Sequence, residues 1–257
     1  MSKSIVEVVN DHYEMLMFGE QKVVFDKIGF FNLGYWKGIN GDSVELAQLN
    51  LIETLVSFFP AKDGNILDVA CGKGASTKFL TRYFDPEKIM GINISERQLQ
   101  ICRRVAPECK FELMDATRLQ LPDSSFDNVL CIEAAQHFMT RQKFFEEACR
   151  VLKPGGRLAL TDLPHDMYLS TLHHPCCPKE NVVSDLNSYR EGLLSAGFRY
   201  TRVEDTTEFC SRAIQRIMVK EAEREFDKKK DEKIFVKIAM LNTVFDHLSS
   251  CMAFAIK

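Results

Sequence analysis

Apolar positions along the chain recur with two periods, and the period changes several times. Ile5, Val8, Val9, Tyr13 and Leu16 stand at helical spacing and predict an amphipathic N-terminal helix. The aromatic stretch 30–36 runs into Gly34, Tyr35, Trp36, Lys37 and Gly38, which predicts a turn there. From residue 45 the pattern alternates. A helix is expected at 45–59, and short apolar runs at 65–71, 88–93, 110–114, 126–133 and 156–162 read as strands. Helical spacing returns between them at 75–83, 96–105 and 141–152. Lys153, Pro154, Gly155 and Gly156 stop the last of these helices, since proline cannot continue it and glycine accepts the left-handed residue beyond its end.

Strands that alternate with helices imply parallel β-α-β units whose crossovers cover both faces of a sheet, an α/β fold. The chain is irregular over 164–183, helical at 185–195 and strand-like from 198 to about 210. Two helices separated by the charged run 228–233 are expected over 211–248, and a last edge strand at 250–256. Seven strands result, in a doubly wound, mostly parallel sheet. The 257 residues read as one domain: a helical and aromatic cap (1–60), a ligand-binding core (61–165), substrate-side insertions forming a helical lid (166–248) and the final edge strand (249–257).

Charge narrows the partners. Lys plus Arg number 33 against 36 Asp plus Glu, a formal charge of -3, with no basic stripe, so nucleic acid is disfavoured. The acidic and polar residues in MSKSIVEVVNDHYE do not suit a leader, and no apolar run reaches membrane-spanning length. The simplest location is the cytoplasm. Nine cysteines without Cys-x-x-Cys spacing read as reduced core residues, with no metal site.

Asn65-Ile66-Leu67-Asp68-Val69-Ala70-Cys71-Gly72-Lys73-Gly74 is a strand entering a glycine turn at the start of a helix, a place where backbone amides approach a ligand closely. A dinucleotide fingerprint would need glycine where Thr77 stands, and a phosphate loop would need Ser or Thr after Gly72-Lys73, where Gly74 stands. Asn93 ends the next strand, where a ribose hydroxyl would be met, and Asp115 follows the third, where a carboxylate can accept an adenine amino group. All three lie at the carboxyl ends of strands.

These blocks, with Leu121-Pro122-Asp123-Ser124-Ser125-Phe126-Asp127 and Val151-Leu152-Lys153-Pro154-Gly155-Gly156, resemble the class I S-adenosylmethionine-dependent methyltransferases. The similarity is to their small-molecule branch, which includes sugar and natural-product O-methyltransferases and tocopherol-type C-methyltransferases. It spans 60–165, and more loosely 32–36 and 189–198. The resemblance implies a Rossmann-like methyltransferase fold with S-adenosyl-L-methionine as cofactor and S-adenosyl-L-homocysteine as product. It places Asp68, Ala70, Gly72 and Gly74 around the methionine end, Asn93 at the ribose, Asp115 and Ala116 at the adenine, and Ile94 and Gln98 along the adenosine pocket. The family usually carries Asp or Glu at the Asn93 position.

Methyl transfer asks for in-line placement of the acceptor and removal of its proton. His137, after the fourth strand, is the candidate base, with Asp162 at the end of the fifth to orient or assist it; the resembling O-methyltransferases associate a His and an Asp at these positions with deprotonation. Each also suits a plainer use: His137 as a capping or satisfied ring, Asp162 as a helix N-cap. Glu133 faces either the cofactor or solvent. Tyr13, Tyr35 and Trp36 suit cation–π stacking on a sulfonium or ordinary core packing. His173-His174-Pro175-Cys176-Cys177-Pro178 lacks metal-ligand spacing and reads as a rigid loop. Apolar residues of 211–248 suit either an acceptor pocket or core packing. The expected function is methyl transfer to a small acceptor, foremost a hydroxyl oxygen; nitrogen or carbon methylation, or a non-catalytic cofactor-binding subunit, stay as alternatives. Oligomeric state is left open.

Overall fold

The seven apolar runs pair into a single sheet in the computed structural model, which describes residues 5–18, 30–60, 62–164, 176–229 and 232–257. The strands are β1 (Ile66–Val69), β2 (Ile89–Asn93), β3 (Lys110–Leu113), β4 (Phe126–Ile132), β5 (Leu152–Asp162), β6 (Tyr200–Asp205) and β7 (Cys251–Ile256), in the order β3-β2-β1-β4-β5-β7-β6. β1 to β5 are mutually parallel, while β7 runs antiparallel to both β5 and β6.

Strand side chains alternate between two apolar layers, as a period of two requires. Leu67, Val129, Leu158, Leu160 and Ala253 join one layer with Phe144, Phe145, Ala148, Tyr189 and Leu193 from the helices α5 (Arg141–Val151) and α6 (Leu186–Ser195). Ile66, Leu130, Ala159, Met252 and Phe254 join the other with Leu51, Ile52, Leu55, Phe79 and Leu80 from α2 (Val44–Ser57) and α3 (Ala75–Leu80). α4 (Glu96–Val105) adds Leu99 and Cys102 beside Cys71 and Phe111. Ser43, Ser95, Thr140 and Asp185 cap α2, α4, α5 and α6 by accepting from backbone amides.

Two expectations change. The C-terminal strand is not an edge: β7 lies between β5 and β6, with its burial nearly complete because it is sandwiched in the hydrogen-bonding direction as well. β5 begins earlier than expected, since Leu152 pairs with Phe126 before a bulge, and Gly155 takes its left-handed conformation within the strand. The helices α7 (Ser211–Lys229) and α8 (Glu232–Asp246) take the packing use: Ile214, Ile217, Met218 and Phe245 cluster with Leu33, Val44 and Cys210. Residues His173, His174 and Pro175 lie outside the described residues, as do 230 and 231 of the charged run. No helix among the described residues is long and apolar enough to cross a membrane.

α1 (Ile5–Phe18) crosses the carboxyl side of the sheet. Its Asn10 amide donates to the Ile94 carbonyl and its Glu14 pairs with Arg97 on α4, while the Val8 carbonyl accepts from the Cys176 thiol.

Phe254, buried and tilted against Phe58, tests the packing of β7 against the layer that holds α2. Phe254→Ala is expected to cost about 3–5 kcal/mol in urea unfolding, as a core phenylalanine does; a change of about 0.5 kcal/mol, typical of a surface site, would contradict it.

Candidate functional site

Strand order reverses between β1 and β4, so the connections leaving these two neighbours diverge and a crevice opens beyond their carboxyl ends. A cleft of about 900 Å³, counted to its open mouth, occupies that place. Four strand ends on this side contribute: Ala70 and Gly72 beyond β1, Asn93 and Ile94 at the end of β2, Asp115 and Ala116 beyond β3, Glu133 and His137 beyond β4. A smaller adjoining recess follows the glycine turn from Ala70 to Ser76 and is closed by Phe30, Phe31 and Asn32.

The backbone at the mouth is unusual. Ala70 and Glu133, at the ends of the two strands flanking the reversal, have φ of 57° and 47°, a left-handed conformation seldom adopted by residues with a Cβ and most often retained at functional sites. Gly72, at φ 55°, has open space where a Cβ would stand. Gly74 is different. Its φ is 87°, and a Cβ there would come within 3.0 Å of the Cys102 backbone. Gly74 thus lets α3 approach α4 and does not itself line the cleft. Asp68 is also set back: it is buried and accepts from Ser76 (2.8 Å) and Thr77 (2.6 Å), so it braces the turn from below.

The Asn93 amide is oriented by its partners. Nδ2 donates to the Gly72 carbonyl (3.2 Å) and to Gln98 Oε1 (3.0 Å), while Oδ1 accepts from the Ser95 amide (3.1 Å). A carbonyl cannot donate, so Gly72 requires nitrogen on its side, and a carboxylate in this place would meet two oxygens. That is a local reason for asparagine here. Asp115 accepts from the Thr117 amide and hydroxyl through one oxygen, leaving the other for a ligand.

His137 ends the 3-10 turn Ala135–His137. Its Nδ1 lies 2.8 Å from the Cys176 carbonyl, which only accepts, so Nδ1 carries the proton in the neutral ring. Nε2 is then the acceptor, and it receives the Tyr13 hydroxyl at 2.9 Å and the Gln136 amide at 3.2 Å. Burial, foremost, holds the Tyr13 hydroxyl well above its ordinary range, so it remains a donor.

Two further expected residues stand outside the cleft lining, as Asp68 and Gly74 do. Trp36 lies outside the cleft lining: its indole donates to the Leu33 carbonyl (3.0 Å) and its ring packs on the Leu33–Ile214 cluster, because the 33–36 segment turns toward α7. Asp162 is taken up by structure. Oδ1 accepts from the Gln136 and Leu163 amides, and Oδ2 from the Arg141 guanidinium (2.6 Å) and the Tyr189 hydroxyl (3.0 Å), with the carboxylate fully buried. It touches the turn before His137 and not the ring. Sequence reasoning missed Asn10, Phe31 and Met139 in the lining, and Arg141 and Asn181 behind it, whose partners lie 21 to 46 residues away in sequence.

Residues 67–160 match a family described as a methyltransferase domain. Among curated proteins, the chain is 35% identical over 189 residues to the 27-O-demethylrifamycin SV methyltransferase of Amycolatopsis mediterranei, covering 68% of this chain and 69% of that protein. It is 33% identical over 176 residues to the O-methyltransferase cnsE of Penicillium expansum, covering 65% and 61%. The chain spans 54–61% of the length of the first curated relatives it matches. Among solved structures, the cyclase SpnF superposes with a TM-score of 0.76 at 19% identity, over 100% of this chain and 97% of that one.

The buried carboxyl of Glu133 produces a pH signature in the ligand-free protein. Burial, first, and the neighbouring Asp162 raise it from the ordinary 4.5 to about 8, although the Leu33 amide bonds its oxygens; Tyr13 and Cys210 face it from α1 and from the start of α7. Between these two values the folded chain keeps a proton that the unfolded chain has released, so stability falls as pH rises. Glu133→Gln removes that dependence. Its stability advantage over the native chain is expected to widen from about pH 4.5 to about pH 8 in urea unfolding, and a constant difference across that window would refute the assignment.

Proposed function

The chain belongs to the class I S-adenosylmethionine-dependent methyltransferases, and from that premise we propose that it methylates a hydroxyl oxygen on a small, largely apolar acceptor, with His137 as general base. The fit to the cofactor rests on the cleft itself. Open space above Gly72, a spare oxygen on Asp115 and the Asn93–Gln98 pair stand in succession along it. Asp115 and Ala116 would meet the adenine, Asn93 with Gln98 the ribose, and the turn 70–76 the methionine end, resting on Asp68 and Gly74. When bound, S-adenosylmethionine supplies a methyl already activated on a positively charged sulfur and leaves as S-adenosylhomocysteine.

The observation that carries the oxygen reading is His137. Its Nδ1 proton is held by a carbonyl, and its Nε2 already accepts an O–H, that of Tyr13, at 2.9 Å. An acceptor hydroxyl arriving in that place would lose its proton to Nε2 as its oxygen takes the methyl, and the imidazolium would pass the proton on to solvent. Asp162 fixes the turn that carries the ring and does not touch it. Val9, Phe31, Met114, Ile132, Phe138 and Met139 give the cleft apolar walls, which suit an apolar acceptor body. The two curated relatives named above carry oxygen methylation in their names, which supports the same atom. SpnF, named as a cyclase, shares the shape, so shape alone does not choose the reaction. A formal charge of -3 agrees with a small-molecule acceptor in place of nucleic acid.

Calorimetric titration with S-adenosylmethionine and S-adenosylhomocysteine comes first, followed by a screen of hydroxylated apolar metabolites read by release of S-adenosylhomocysteine. His137→Ala is expected to bind both ligands as the native chain does while turnover falls by about 10²- to 10⁴-fold. Near-normal turnover would move the reading to nitrogen or carbon. Absence of binding to either ligand would end it.

A further inference from the structure

We infer that Asn181 is a positioning residue that aims the His137 ring. This rests on the reading of His137 as the base. Asn181 belongs to a 3-10 turn, Lys179–Asn181, in the segment between β5 and α6, and its side chain is buried. Its Nδ2 donates to the carbonyls of Gln136 (3.0 Å) and Phe138 (2.8 Å), with the Ala135 carbonyl at 3.5 Å. These residues are the 3-10 turn that carries His137, so the turn curls around one amide nitrogen. The Asn181 Oδ1 accepts from the Arg141 amide (2.8 Å), which anchors the first residue of α5 to the same side chain. The Asn181 carbonyl in turn accepts from the Arg141 guanidinium, whose Nε holds Asp162.

The turn is therefore gripped from two sides. Asp162 takes the Gln136 amide and Asn181 the Gln136 carbonyl, so neither of the two peptide planes that meet at Gln136, the second of them leading into His137, can rotate without breaking a buried bond. The ring angle is set by a third contact from the same segment, the Cys176 carbonyl on Nδ1, five residues before Asn181. One short stretch, 176–181, thus fixes both the main chain beneath His137 and the nitrogen that carries its proton. Neither Asn181 nor the Cys176 carbonyl touches the cleft, and both act through His137. Partners that orient a functional imidazole in this way set its tautomer and the direction of its lone pair.

The test measures the ring itself. Long-range proton–nitrogen spectra of ¹⁵N-histidine-labelled protein report the His137 tautomer without any acceptor present, His137→Ala identifying the signal. The native chain is expected to show protonated Nδ1. Asn181→Ala is expected to show a mixture of tautomers and, once an acceptor is known, a turnover loss of roughly tenfold to a hundredfold with unchanged affinity for S-adenosylhomocysteine. Asn181→Ser, which keeps a short donor, replaces it should the alanine variant fail to fold. A native-like tautomer in the folded variant overturns the proposal, as does protonated Nε2 in the native chain. A shifted tautomer in Asn181→Ala combined with normal turnover in His137→Ala sustains the positioning role and removes the base reading instead.

Discussion

Two adjacent parallel strands whose connections depart in opposite directions cannot both roof the space beyond their ends, and this constraint organises the molecule. β1 leads away toward β2 and β3, β4 away toward β5, and the gap between them has no chain of its own to fill it. What fills it arrives from far along the sequence: α1 lies across the opening, and segment 176–181 closes behind His137. The chemistry available in the gap follows from what the four strand ends put there. Ala70 and Glu133 hold left-handed backbone at its two inner corners, a cost that the packed strands on either side sustain.

Three buried carboxyls show how differently one functional group can be used within a single sheet. Asp162 has four donors including a guanidinium, and such a pair, closed to water, fixes neighbouring backbone because neither charge can be exposed cheaply. Asp68 has two hydroxyl donors, and its pKa is raised by burial to about 6 despite them, which leaves it a brace for the glycine turn. Glu133 has one backbone amide and borders the cleft, so it keeps its proton to about pH 8. Of the three, the carboxyl with the fewest donors is the one that borders the cleft.

Most of the fold was legible because it is written in local periods. The strands β1 to β4 and the helices α4 and α6 begin and end within a residue or two of the apolar runs and caps that announce them. The positions of the glycine turn, Asn93, Asp115 and His137 along one cleft were legible for the same reason: each sits at a strand end, and strand ends on one side of a parallel sheet converge. The surroundings of Asp162 and Trp36 were not. A strand-end aspartate looks the same whether it faces a ligand or an arginine, and the decision belongs to Arg141 and Tyr189, which stand 21 and 27 residues away. The tryptophan was decided by α7, whose Ile214 stands far along the chain. The interior place of β7 had no local signal either, since a run of Cys, Met, Ala and Phe reads alike at an edge and in the middle of a sheet.

That interior place bears on the order in which the molecule can be made. A chain emerging N-terminus first exposes β5 with one side unpaired, and β6, which bonds only to β7 in this sheet, has nothing to join until residues 251–256 are available. For the whole interval in which α6, β6, α7 and α8 are synthesised, the edge of β5 that β7 covers, Arg157–Asp162, stays open, the kind of surface that recruits strands from other chains. Cys251–Ile256 is thus the closing stave of the sheet, the one segment that joins β6 to the rest.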